Sequence, residues 1–96
     1  MRYVVKIEKE FINKQWLAKK IKSMQYTLDR HVINYNFVET DTSYKFYLRD
    51  IDKAYIYSGD YDPSIMIYEN GLPYIIAIIG YGDTMPQVNI KEINEY

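Results

Sequence analysis

The stretch IMIYENGLPYII, residues 65–76, decides the fold. Asn70-Gly71 sits between two apolar runs, and a two-residue hairpin loop needs positive φ at both central positions, which Asn and Gly tolerate best. The pattern predicts two antiparallel strands joined by a type I′ turn. Pro73 has no amide to donate to a ladder, so it places this end of the second strand at an edge, or turns it away from a partner. Farther on, Ile75 to Ile79 is apolar at every position. Such a run predicts a strand covered on both faces or central in its sheet.

Working back toward the N-terminus, Ser58 to Pro63 reads as a loop, Ala54 to Tyr57 as a short strand and Arg49 to Lys53 as a turn. Tyr44, Phe46 and Leu48 alternate with Lys45, Tyr47 and Arg49, which is the period of a strand with one buried face. Thr40 to Ser43 is turn chemistry, and Ile33, Tyr35 and Phe37 alternate against Asn34, Asn36 and Val38. Between about residues 14 and 29 the period lengthens: Leu17, Ile21, Met24 and Leu28 form one apolar stripe on a helix. Asn13 is its expected N-cap. Arg2 to Phe11 returns to period two, with Tyr3, Val5 and Ile7 on one face. A last strand is expected around Val88-Asn89-Ile90.

Together these elements predict a single α+β domain spanning residues 1–96. It has an N-terminal strand, one amphipathic helix packed on one face, and a mainly antiparallel sheet of about five to seven strands in which those after the helix form a meander. At 48% apolar and 26% charged residues, the composition is that of a folding chain rather than a disordered one. The sequence has no cysteine, which removes disulfides and thiolate chemistry. Charge interleaves with apolar residues over Met1 to Lys9, unlike a secretory signal, so a soluble protein of the reducing cytoplasm is expected.

Gly80-Tyr81-Gly82-Asp83 is similar to the selectivity filter of potassium channels. That family requires membrane helices of about 20 apolar residues, whereas the longest apolar run here is Tyr74 to Ile79. Ile78-Ile79 also stands where the filter pattern has Thr-Val. The motif is therefore read as glycine punctuation at the end of a strand.

Enzymatic constellations are weak. His31 is the single histidine, and the serines sit in no nucleophile elbow. Gly80-x-Gly82 lacks the third glycine of a dinucleotide loop. The pairs Glu39/Asp41, Asp50/Asp52 and Asp60/Asp62 read first as turn residues, because Asp bonds nearby amides. Asp60 and Asp62 are also the residues a divalent cation would use in a metal-dependent enzyme, the third functional reading. No cofactor is expected.

Twelve tyrosines carry the leading expectation. One helix cannot cover both faces of a sheet, so Tyr47, Tyr55 and Tyr57, extended by Tyr68 and Tyr74, are expected on a face that is wet or buried by another chain. Tyrosine suits protein interfaces, offering large area and a polar tip at small entropic cost. The chain thus reads as a non-enzymatic protein-binding module, or one that self-associates, contacting its partner through these tyrosines and the acidic Asp60 and Asp62. Small size, and a composition in which Phe, Tyr, Met, Ile, Asn and Lys supply half the residues, suggest an accessory or inhibitory factor of a virus or mobile element. The alternative reading is nucleic-acid binding through Lys19, Lys20 and Lys22 on the helix. Residues 1–30 carry eight Lys/Arg against three Asp/Glu, net +5, while residues 31–96 carry four against ten, net −6.

Overall fold

A computed structural model describes residues 2–58, 62–80 and 85–93. Seven strands and one helix follow in the order β1 (Arg2–Glu8), α1 (Lys14–Arg30), β2 (Asn34–Glu39), β3 (Ser43–Arg49), β4 (Lys53–Tyr57), β5 (Ser64–Glu69), β6 (Leu72–Ile78) and β7 (Val88–Ile93). The predicted α+β architecture holds, but the strands divide into two antiparallel sheets instead of one meander. The first has the order β2-β3-β1-β7 and the second β4-β5-β6.

The division arises at the turn after β3. A hairpin from β3 to β4 would carry Ile51 at its exposed tip, yet Ile51 is only 1% exposed and belongs to the core. Asp50 adopts φ 57°, a left-handed conformation that Asp tolerates, and this reverses the chain so that Ile51 points inward. β4 therefore starts a new sheet, pairing with β5 and packing near β7 instead of pairing with β3. The space beside β3 is taken by β1, whose Tyr3, Val5 and Ile7 lie opposite Leu48, Phe46 and Tyr44.

The helix starts where Asn13 Oδ1 accepts the Trp16 amide at 2.9 Å. It buries Leu17, Ile21, Met24 and Leu28, the stripe expected from spacing. Truncating a residue such as Met24, fully buried, typically costs about 2–5 kcal/mol through lost transfer energy and cavity formation. The helix ends in a Schellman motif: the Val32 amide donates to the Asp29 carbonyl at 3.0 Å and the Ile33 amide to the Leu28 carbonyl at 2.9 Å. One core cluster joins these helix residues to Phe46 and Leu48 of the first sheet and to Ile65, Ile67 and Ile76 of the second. Among the described residues, no buried side-chain polar atom lacks a partner.

The hairpin at Asn70-Gly71 forms as predicted, with φ 53° and 79° at the two turn residues and Glu69 opposite Leu72. The Asp52 carboxylate accepts the Gly71 amide at 3.1 Å, tying the turn after β3 to this one. β6 is an edge strand, as Pro73 indicated. The expectation that Ile75 to Ile79 is covered on both faces is corrected: Ile76, Ala77 and Ile79 are buried, whereas Ile75 is 54% and Ile78 47% exposed. A register shift at Ile65/Met66 turns Ile76 and Ala77 both inward, and among the described residues Ile75 and Ile78 are left exposed on the other side.

Candidate interaction surface

The uncovered side of the β4-β5-β6 sheet is built from three cross-strand rows. Because paired residues share a face, the register groups Tyr57 with Ser64 and Ile78, Tyr55 with Met66 and Ile75, and Lys53 with Tyr68 and Pro73. Lys53 is the only charged side chain in these rows. Tyr57 at 54% and Ile75 at 54% are its most exposed large hydrophobic members.

The face is ordered from within. Tyr55 and Tyr68 stack with ring centroids 5.8 Å apart and planes 19° from parallel. Lys53 Nζ lies 5.0 Å from the centre of the Tyr55 ring, so its cation rests on an aromatic face rather than in water alone. Partial burial raises the Tyr55 pKa, helped by its hydrogen bond with Tyr68 and by the neighbouring phenols of Tyr68 and Tyr57. Ser64, small and shielded, donates its hydroxyl to the Asp62 carbonyl at 3.4 Å and leaves a low point between Tyr57 and Ile78.

Of the residues singled out by sequence, the fold brings Tyr55, Tyr57 and Tyr68 together. Tyr47 is separated from them, since β3 belongs to the other sheet, where Tyr47 faces outward between Val4 and Asn36. Tyr74 is on the inner side, opposite Ile67, with its ring centroid 4.3 Å from that of His31. Asp62 is exposed beside β5, and Asp60 lies outside the described residues. The other acidic pairs serve the fold: Asp52 holds the Gly71 amide, and Glu39 pairs with Lys9 at 2.8 Å. Among the described residues no group of three or more acidic or histidine side chains converges as a metal site. On the helix, Lys19 and Lys22 are exposed, and Lys20 Nζ leans over the Trp16 ring at 5.4 Å.

Sequence reasoning missed Met66, Pro73, Ile75 and Ile78 as members of this face. The hairpin register carried the signal for most of them. A turn centred on Asn70-Gly71 pairs residue 68 with 73 and 67 with 74, which sends Tyr68 and Pro73 outward and Tyr74 inward. No helix among the described residues is long and apolar enough to cross a membrane. No family model, curated protein or solved structure matches this chain.

Proposed function

We propose that this protein is a non-enzymatic binding module that acts by stoichiometric contact with another protein through the outer face of β4-β5-β6. The observation that carries this reading is the central row Tyr55, Met66 and Ile75, flanked by Tyr57, Tyr68, Pro73 and Ile78, with Lys53 as its single charge. Tyr and Met enrichment with depletion of charge distinguishes interface centres from ordinary surface. A contiguous uncovered apolar sheet face is likewise characteristic of a protein contact. A role as an accessory or inhibitory factor of a virus or mobile element, working in the cytoplasm, fits the small size and the composition.

The test compares the wild type with the double variant Tyr57→Ser/Ile75→Ser by light scattering for self-association and by affinity capture from native host extract. Both side chains are more than half exposed. The fold and melting temperature are therefore expected to persist while the complex is lost. Equal complex formation by both proteins would remove the proposal.

A further inference from the structure

The outer face of the four-stranded sheet has a different chemistry. By register it presents Arg2, Lys6, Lys45, Arg49 and Lys91, with Glu8 as the only carboxylate on the described strands of this face. On the described strands of this face five basic side chains thus stand with one carboxylate, although the whole chain has a formal net charge of −1. Lys6 and Lys45 are directly opposite each other on adjacent strands. A like-charge pair in that position destabilises a sheet. Glu8 offsets it only in part, through its contact with Lys6 at 3.2 Å.

Tyr47 stands in the middle of these cations. It lines two depressions, one of about 340 Å³ with Lys6, Lys45 and Lys91, the other of about 320 Å³ with Arg2, Asn36 and Arg49. The first also holds Glu8, paired with Lys6, together with Gln87 and Asn89. An aromatic ring is therefore bracketed by cations, with amide side chains on both sides that can donate to or accept from base edges.

We infer that this face binds single-stranded nucleic acid, with Tyr47 stacking on a base and Lys6, Lys45, Arg49 and Lys91 neutralising phosphates. Basic grooves with aromatic platforms are the general means of holding single strands, and exposed sheets supply such platforms because their side chains project from a flat surface. Duplex DNA fits less well. Four strands at about 4.8 Å spacing span roughly 14 Å, wider than the roughly 12 Å major groove, which admits a helix or a two-stranded ribbon. The surface is separate from the β4-β5-β6 face and does not depend on the protein contact proposed there.

The experiment measures fluorescence anisotropy of a labelled oligothymidine of about 12 nucleotides, titrated with the full chain at several salt concentrations. Binding is expected to weaken as salt rises, with Lys45→Ala and Lys91→Ala each flattening the log–log slope by about 0.7. Tyr47→Ala is expected to lower affinity roughly 5- to 150-fold, and Tyr47→Phe to retain it. A Lys19→Ala/Lys20→Ala/Lys22→Ala variant should bind like the wild type. The inference is overturned by absence of binding at low salt, by tighter binding to a duplex of the same length, or by dependence on the helix lysines instead of Lys45 and Lys91. Binding indifferent to Tyr47→Ala in a protein whose melting temperature is unchanged also overturns it.

Discussion

Gly80 lies against the ring of Pro63 so closely that a Cβ on Gly80 would stand 2.8 Å from Pro63 Cδ. The adjacent Ile79 amide donates to the Pro63 carbonyl at 2.9 Å, fixing the end of β6 to the segment that enters β5. A proline ring cannot swing aside as a flexible side chain can. Gly80→Ala is therefore expected to destabilise by about 1–3 kcal/mol, the usual range for overpacking, read from urea unfolding. The glycine that resembles part of a channel filter thus has a packing role in this fold. An unchanged unfolding midpoint would show that the two segments part without cost.

Val32 occupies the C′ position of the helix with φ 57° and is 85% exposed. A β-branched residue is strained there, because its Cβ crowds the following carbonyl, and glycine is the usual occupant. Val32→Gly keeps both Schellman hydrogen bonds and forfeits little apolar burial. It is expected to stabilise by about 1 kcal/mol, after allowing for the greater entropy glycine loses on folding. Differential scanning calorimetry should show a rise of about 4–8 °C. A fall would mean that Val32 makes a stabilising contact in solution.

Asp52 reaches across from the turn after β3 to accept the Gly71 amide. Asp52→Ala leaves that amide to water and is expected to cost about 0.5–1.5 kcal/mol, with Asp52→Asn recovering most of it because the side-chain oxygen remains. Hydrogen exchange at the Gly71 amide reports the same bond directly. Faster exchange in Asp52→Ala and near wild-type exchange in Asp52→Asn are the expected pair. Equal exchange in all three proteins would show that the contact is not maintained.

These relationships separate what the sequence discloses from what only folding assembles. The stripe Leu17, Ile21, Met24 and Leu28, the alternation at Tyr44, Phe46 and Leu48, and the Asn70-Gly71 turn are local, so spacing alone reveals them. Strand order is not local. The insertion of β1 between β3 and β7 rests on pairings such as Val5 with Phe46 and with Ile90, far apart in the chain. For that reason Lys6, Lys45 and Lys91 give no sequence signal as a group, and alternation alone groups Tyr47 with Tyr55 and Tyr57 until the two sheets are distinguished. Ile75 to Ile79 resists reading for another reason. A run without periodicity does not say which residues face the core.

The tyrosines give a prediction in pH. Burial raises the pKa of Tyr35, supported by its hydrogen bond with Asp29, and burial followed by the nearby Glu92 charge raises that of Tyr3. Tyr55 is raised in the same direction, first by burial and then by Tyr68. Each phenol holds its proton more tightly in the folded chain than in the unfolded one. The stability this contributes is fully present below the ordinary tyrosine value of about 10 and is lost as pH rises through the raised folded values. Melting temperature should therefore fall as tyrosinate absorbance grows, and Tyr55→Phe should remove one late-titrating phenol. A partner covering the β4-β5-β6 face deepens the burial that already dominates at Tyr55, so its ionisation should move still later in the complex. A complex in which Tyr55 titrates as it does in the free protein would place the contact on some other surface.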